Sequence, residues 1–302
     1  SPHDPAKAYV SVLRYLLDDY APYIYKTEDY GKSWTLLTDG TNGVPADYPT
    51  RVVREDPNAE GILYAGTEFG LFISMNDGND WLPFESNLPL TPITDLKIHQ
   101  DDLVLSTMGR GFWILDDLTS LRGLNEIGNQ SVVLFQPKAG IRNGMSARSE
   151  TNGPEYPRDG VNINFYLKEK SEKLRLEILD TEGEIVRVYE DSQQVEEVDT
   201  ERDMSTEFSN IPASKGLPNK SGLNQFTWNM RHSGGWNEDP KRSYTGNGPM
   251  VSTGLYTARL ITGDEIITSD FNVVLDPRVT LVSDADVAEQ EQLALEIQDF
   301  RD

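Results

Sequence analysis

Three acidic residues in predicted loops could form a pair of catalytic carboxyl groups. Asp18 and Asp19 lie in one loop, and Glu68 lies in another. Two carboxyl groups, one protonated and one ionised, can hydrolyse a glycosidic bond when they stand about 5 Å or about 6.5 to 9.5 Å apart. Asp18 or Asp19 together with Glu68 is therefore a candidate catalytic pair. The alternative is that these carboxylates are solvated, or form ion pairs with Arg14 and Arg110.

The loops at residues 14–20, 67–70 and 108–111 also supply side chains that could contact a ligand. These candidate ligand-binding residues are Arg14, Tyr20, Phe69 and Arg110. Elsewhere, Trp236 and Tyr244 share a long loop. They could stack on a sugar or a peptide, or form a small core of the loop itself.

The residues that usually bind metals are scarce. The sequence contains no cysteine, and its histidines, His3, His99 and His232, lie far apart. Disulfides and thiolate nucleophiles are excluded, and a zinc site is not expected. No phosphate-binding loop, nucleophile elbow or dinucleotide fingerprint is present, so we expect no cofactor. A structural calcium ion is an alternative, because Asp and Asn cluster at residues 76–80 and 284–286, although neither cluster is a full calcium-binding loop.

The charge of the chain limits its partners. The 302 residues carry a net charge of −23 at pH 7, which repels phosphate backbones and anionic lipid headgroups. Nucleic acid is therefore not an expected partner. No apolar run is long enough to cross a bilayer, so membrane insertion is not expected either.

An internal repeat identifies the elements that position these loops. Residues 27–34 and residues 74–81 share Ser or Thr, Asp or Asn, Gly and Trp at their first, third, fifth and eighth places. Each copy lies between two apolar, strand-like segments, which predicts a turn. Hydroxyl, carboxyl and amide groups can bond nearby backbone, and Gly can adopt a positive φ. We expect a structural role for Thr27, Asp29, Gly31, Trp34, Ser74, Asn76, Gly78 and Trp81.

This pattern resembles the Asp box of Asp-box (BNR) repeat β-propellers, which include sialidases and sortilin-type receptor domains. The resemblance implies that the boxes lie on the outer rim. It also implies that the loops with the candidate site residues point to the opposite face, where propellers bind ligands. A third unit follows at residues 93–117, but its box is missing.

Two to three blades do not close a propeller, which needs about four to eight. We therefore expect the remainder of the propeller on a preceding segment or on a second chain. At the other end of the sequence, residues 283–286 form a predicted N-cap box, and the apolar pattern that follows begins an amphipathic helix.

The second half of the sequence has the pattern of a β-sandwich. Several short segments between residues 131 and 275 alternate apolar and polar residues and are separated by turn residues. About seven such strands fit an immunoglobulin-like or fibronectin-like sandwich. Residues 110–118 joined to this sandwich resemble the C-terminal part of bacterial sortilin-like proteins that are labelled glycosyl hydrolases.

The predicted fold is all-β: the last two to three blades of an Asp-box β-propeller at 1–127, an Ig-like β-sandwich at 128–280 and the start of a C-terminal helix at 281–302. The favoured function is a secreted or cell-envelope protein, at the outer-membrane surface, in the periplasm or outside the cell, whose propeller face binds a protein, peptide or glycan. The first alternative is a glycoside hydrolase that acts on a polysaccharide. The second is a structural part of a surface assembly.

Overall fold

The structure, a computed structural model, describes most of the chain. The described residues are 1–84, 87–142, 159–191, 216–234, 247–263 and 265–301. They form two compact units, Ser1–Asn125 (unit 1) and Glu126–Asp302 (unit 2). Both units consist mainly of β-strands, so the prediction of an all-β chain is confirmed.

Unit 1 contains three antiparallel sheets in which the strands follow one another in chain order. The first sheet is β1 (Ala8–Ser11), β2 (Ile24–Thr27) and β3 (Thr35–Leu36). The second is β4 (Thr50–Glu55), β5 (Leu63–Thr67), β6 (Gly70–Ser74) and β7 (Leu82–Pro83). The third is β8 (Ile93–His99), β9 (Asp102–Thr107) and β10 (Phe112–Leu115), followed by the short helix α1 (Thr119–Arg122).

The second sheet lies between the other two, because its strands alternate apolar side chains between two cores. One core, shared with the first sheet, contains Ile24, Val53, Leu63, Ala65, Phe72 and Trp81. The other, shared with the third sheet, contains Val52, Tyr64, Leu71, Ile73, Ile93 and Leu105. Gly66 allows this second contact to be close, since a Cβ at residue 66 would lie 2.8 Å from the Ile93 side chain.

The three sheets are built from equivalent strands. Strands β2 and β6 each lead into a box turn, so β2 matches β6, β1 matches β5 and β3 matches β7. Strands β8, β9 and β10 match β4, β5 and β6 by their order and pairing. Within the described part of the chain, the first sheet therefore lacks an equivalent of β4, and the third lacks an equivalent of β7.

Unit 2 contains eight strands in two sheets. In chain order they are β11 (Val132–Leu134), β12 (Gly140–Arg142), β13 (Val161–Leu167), β14 (Leu174–Leu179), β15 (Ile185–Glu190), β16 (Gly222–Trp228), β17 (Gly254–Thr262) and β18 (Glu265–Leu275). One sheet has the order β11-β13-β16, and the other has the order β12-β18-β17-β14-β15. All pairs are antiparallel except β12 with β18, which is parallel.

A single hydrophobic core lies between the two sheets of unit 2. Its largest buried side chain is Trp228, whose ring centroid lies 5.5 Å from that of Tyr256 and 5.8 Å from that of Phe271. Because Trp228 is on β16 and the other two rings are on β17 and β18, these contacts join the two sheets. Unit 2 is therefore a two-layer β-structure with a shared core.

The helix α2 (Asp284–Arg301) ends the described chain and begins where the sequence predicts. The Ser283 hydroxyl accepts a hydrogen bond from the Asp286 amide at 3.3 Å, and the Asp286 carboxylate accepts one from the Ser283 amide at 2.8 Å. This reciprocal pair is a capping box. Glu291 attaches the helix to unit 2 through His232 Nε2 at 2.5 Å and the Ser252 amide at 2.9 Å.

Candidate functional site

The first box turn is held by one hydroxyl and one carboxylate. The Thr27 hydroxyl accepts the Gly31 amide at 2.9 Å and donates to Asp29 Oδ1 at 2.9 Å. Asp29 also accepts the Ser33 amide at 2.9 Å and the Ser33 hydroxyl at 2.6 Å. These hydrogen bonds from Ser33, followed by the one from Thr27, lower the pKa of Asp29 to about 2. The carboxylate is thus an internal bracket of the turn.

The second box turn repeats this geometry with an amide in place of the carboxylate. The Ser74 hydroxyl accepts the Gly78 amide at 2.9 Å, and Asn76 Oδ1 accepts the Asp80 amide at 2.9 Å. Both turns place two consecutive residues at positive φ: 60° at Tyr30 and 81° at Gly31 in the first, and 59° and 85° at the matching positions of the second. The two boxes have the same geometry, although their sequences share only four positions.

The tryptophans of the two boxes have different surroundings. Trp81 is 2% exposed, and its indole nitrogen donates to the Leu37 carbonyl of the preceding sheet at 3.3 Å. The Trp81 amide donates to the Asn42 carbonyl at 2.8 Å. Trp34 is 45% exposed and donates only within its own turn, to the Gly31 carbonyl at 3.2 Å. The connection that covers Trp81 therefore has no counterpart over Trp34 among the described residues.

The candidate ligand loops lie together at the opposite end of the sheets, called here the loop end. It comprises residues 12–23, 68–69, 88–92 and 108–111, which follow or precede equivalent strand ends. Backbone hydrogen bonds join neighbouring loops: Glu68 donates to Pro49 at 3.0 Å, and Met108 donates to Pro92 at 2.9 Å. The three-sheet stack therefore brings the predicted site residues to one end of unit 1.

The first carboxylate of the candidate pair is bound within its own loop. Arg14 Nη1 lies 3.0 Å from Asp19 Oδ2, and the Tyr23 hydroxyl donates to the same oxygen at 3.1 Å. Asp18 is exposed and has a φ of 60°, where it ends a short 3-10 turn. Of the two aspartates, Asp19 is thus the one engaged by a cation.

The second carboxylate, Glu68, is bound by an arginine that the sequence analysis did not select. Both Arg51 Nη2 and Arg51 Nε approach Glu68 Oε1, at 2.5 and 2.6 Å. The Arg51 guanidinium also lies over the Tyr15 ring, 5.8 Å from its centroid. The expected alternative partner was Arg110. Arg110 is exposed instead, and its backbone carbonyl accepts the Trp113 indole at 3.0 Å. Each engaged carboxylate therefore contacts an arginine and not a second carboxyl group.

Apolar side chains dominate the exposed surface of the loop end. Leu16 and Leu17 are 83% and 71% exposed, and Phe69 is half-exposed with its ring 4.7 Å from that of Tyr48. The exposed large apolar residues at this end are Leu13, Leu16, Leu17, Tyr20, Phe69, Leu90 and Met108. The sequence analysis selected Tyr20 and Phe69 but missed the aliphatic residues. Their signal was available, because apolar residues in a loop have no core to fill.

A buried polar cluster joins the first and second sheets near the second box. Asp77 accepts hydrogen bonds from Tyr9 Oη and from Lys26 Nζ, the latter at 3.0 Å. Lys7 Nζ lies 3.9 Å from both Asp77 and Glu55. Burial and these acidic partners raise the pKa of Tyr9, whereas for Asp77 the hydrogen bonds from Tyr9 and Lys26 outweigh burial and lower it. The groups neutralise one another, so the cluster is a cross-link between sheets.

Two further features complete the described surface. A shallow concavity of about 320 Å³ lies between β4 and β8 and is lined by both cationic and acidic side chains, with Arg54 and Asp95 paired at 3.0 Å. Among the residues that the structure describes, no group of three His, Asp or Glu side chains could hold a metal ion. Trp236 and Tyr244 lie outside the described residues. None of the described helices is both long and apolar enough to span a bilayer.

No protein-family model and no curated protein matches this chain. Among solved structures, it is similar to PorZ, an essential bacterial surface component of the type-IX secretion system of Porphyromonas gingivalis. The identity is 16% and the TM-score 0.25, over 81% of this chain and 24% of PorZ.

It is also similar to the extracellular domain of the hybrid two component system BT4673 from B. thetaiotaomicron. Here the identity is 13% and the TM-score 0.26, over 85% of this chain and 29% of that one. The chain thus spans between a quarter and a third of the length of these structures. At these TM-scores the similarity assigns no family and no activity.

Proposed function

We propose that this chain belongs to a binding protein whose loop end recognises an apolar segment of a polypeptide. The observation that carries the proposal is the cluster of exposed aliphatic and aromatic side chains at the loop end. Exposed apolar patches on soluble proteins mark interaction sites. Leu16, Leu17, Leu90 and Met108 offer no hydrogen bonds, so they suit apolar peptide side chains better than the hydroxyl groups of a sugar.

The ion pairs at the loop end favour binding over hydrolysis. A glycosidase needs two carboxyl groups on either side of the scissile bond, free to exchange protons with it. Asp19 contacts Arg14, and Glu68 contacts Arg51. These arginines stiffen the loops and stack on tyrosines, at 5.7 Å for Arg14 over Tyr23. Such contacts support a preorganised binding surface.

We propose that unit 1 is part of an Asp-box β-propeller. Two features support this: the face-to-face stack of equivalent sheets, and the identical hydrogen bonding of the two boxes. The different surroundings of Trp34 and Trp81 fit a ring in which a further sheet lies against the first. This sheet would come from a preceding segment or from a second chain.

We propose that unit 2 is an immunoglobulin-like module that acts as a spacer. Its two sheets follow the grouping of such folds if β11, β13 and β16 are strands A, B and E, and β14, β17 and β18 are strands C, F and G. The first strand would divide between the sheets as β11 and β12. A protein of this design would work outside the cell or in the cell envelope, and the acidic surface is compatible with that place.

The test uses a library of random peptides displayed on phage and selected on the immobilised chain. The selected peptides are then measured against the double variant Leu16→Ser, Leu17→Ser. We expect at least about tenfold weaker binding, because the apolar contacts are lost. The matched control is Tyr30→Ser, which removes a 73% exposed aromatic from the box turn at the other end. It should leave binding unchanged.

Two outcomes would contradict this function. Selected peptides that respond to Tyr30→Ser but not to the leucine variant would move the binding surface to the box end. Sugar release from a panel of polysaccharides, abolished by Glu68→Gln, would instead establish the hydrolase. A chain that selects no peptide and releases no sugar would favour the structural role in a surface assembly.

A further inference from the structure

The outer edge of β1 is an unpaired strand edge. The Val12 amide donates to the Tyr23 carbonyl at 2.9 Å, which makes residues 12 and 23 a hydrogen-bonded pair. In an antiparallel ladder such pairs alternate, so Ala8 and Val10 also bond to β2. The amides and carbonyls of Tyr9 and Ser11 therefore point away from β2. Among the described residues, no backbone group pairs with them.

The equivalent strand of the second sheet shows what belongs at this edge. By its pairing with β6, β5 matches β1, so that Tyr64 corresponds to Tyr9 and Gly66 to Ser11. In β5 these two residues pair with Arg54 and Val52 of β4. The third sheet has the same arrangement, because β8 pairs with β9. Only the first sheet has its second strand exposed in this way.

The space beside β1 is compatible with an added strand. Strand β1 lies against β4 of the next sheet, as β5 lies against β8. Strand β5 nevertheless carries β4 on its edge, so this contact leaves room for a strand. Exposure shows the vacancy: all residues of β5 are buried, whereas Val10 of β1 is 42% exposed.

We propose that the edge of β1 is a strand-addition site for an extended polypeptide segment with the alternation of β4. The segment runs antiparallel to β1 and bonds to the backbone of Tyr9 and Ser11. Main-chain hydrogen bonds supply the affinity of such additions, and alternate side chains supply the selectivity. A segment that carries arginine, as β4 does at Arg51 and Arg54, also complements the net charge of −23. This inference rests on strand pairing and not on the loop end.

The probe is a synthetic peptide with the sequence of residues 49–56, which contains β4. In the second sheet, the amides of Val52 and Arg54 face β5, and those of Val53 and Glu55 face away. We therefore compare peptides N-methylated at residues 52 and 54 with peptides N-methylated at 53 and 55. Amide hydrogen exchange of the full chain is the measurement.

We expect the unmodified peptide and the 53/55-methylated peptide to slow exchange at Tyr9 and Ser11 by at least about tenfold. The 52/54-methylated peptide should have no effect. In the chain, Ser11→Pro removes an edge donor without touching the β1–β2 ladder, and should abolish the protection of Tyr9. Ser11→Ala, which removes only the hydroxyl that bonds to the Arg51 carbonyl, should keep it.

Unchanged exchange at Tyr9 and Ser11 under saturating peptide would overturn the proposal. Equal protection by both methylated peptides would do so as well. The Leu16→Ser, Leu17→Ser variant separates this site from the proposed function, because it should lose the selected loop-end peptides and still show strand addition. If a second copy occupies the edge instead, protection will depend on protein concentration without any peptide, which also contradicts an added segment.

Discussion

Single side chains at the two box turns perform the same task with different chemistry. Asp29 brackets the first turn with a carboxylate, and Asn76 brackets the second with an amide. The residue types at four positions were enough to predict both turns, since every bond of the motif is local. The partners of Glu68 were not predictable in this way. Arg51 reaches Glu68 only after β4 and β5 have paired, next to a register shift between Thr50 and Val52.

The two brackets predict a difference in acid response. The pKa of Asp29 is about 2 in the folded chain, below the value of about 3.9 for a free aspartate. Its contribution to stability is therefore complete above pH 4 and is lost as the pH falls towards 2. Carboxyl carbon NMR should give a midpoint near 2 for Asp29, and Asp29→Asn should make the first turn as insensitive to acid as the second. A midpoint near 4 would mean that the Ser33 hydrogen bonds do not form in solution.

The two box tryptophans should differ in their value to stability. Trp81→Ala leaves a cavity beneath Leu37 and should lower the free energy of unfolding of unit 1 by about 3 to 5 kcal/mol. Trp34→Ala removes a half-exposed ring and should cost less than about 1 kcal/mol. Urea unfolding curves measure both. Equal losses would show that the first box is covered in solution as the second is.

At the level of elements, alternation of apolar and polar residues indicated most strands, because each sheet buries side chains on alternate positions. The third sheet was expected to be a weaker unit, yet it forms three complete strands. Its missing box changes only the exit from β10, which leads into α1. Arg122 of this helix bonds to Asp56 at 3.0 Å, a contact that no local pattern could reveal because it joins distant turns.

The Arg122 contact should be among the most costly to remove in unit 1. Asp56 is fully buried, and the Arg122 side chain is 13% exposed. Arg122→Ala leaves a buried carboxylate without its cation and should destabilise the unit by about 3 to 5 kcal/mol at pH 7. The control is Arg54→Ala, which removes a half-exposed ion pair with Asp95 and should cost less than about 0.5 kcal/mol. Guanidinium is ionic, so urea is the appropriate denaturant. Similar losses would mean that Asp56 is solvated.

At the level of the whole molecule, composition and patterning indicated an all-β chain with a change of texture near residue 128, and the structure divides at Asn125 and Glu126. The sequence could not indicate which exposed surfaces the sheets leave uncovered. That property depends on how three sheets stack, and a strand pattern is the same on a covered face and on an open one.

The net charge and the apolar loop end predict an association that depends on salt. Repulsion between chains of charge −23 should keep the apolar surfaces apart at low ionic strength. Sedimentation velocity should therefore show a single small species in about 0.02 M NaCl and larger species in about 0.5 M NaCl, where the Debye length is a few ångströms. The Leu16→Ser, Leu17→Ser variant should stay small in both. Salt-independent sedimentation would mean that the loop end does not self-associate.

Asp77 has a consequence for how this protein can diverge. Its φ of 59° favours Asp, Asn or Gly, and its carboxylate also neutralises Lys26 between two sheets. Tyr30 has the same φ in the first box but no such partner. In a saturation mutagenesis experiment, residue 77 should thus accept almost nothing but aspartate, whereas residue 30 should accept many amino acids. Two turns of one ancestry are consequently free to drift at very different rates.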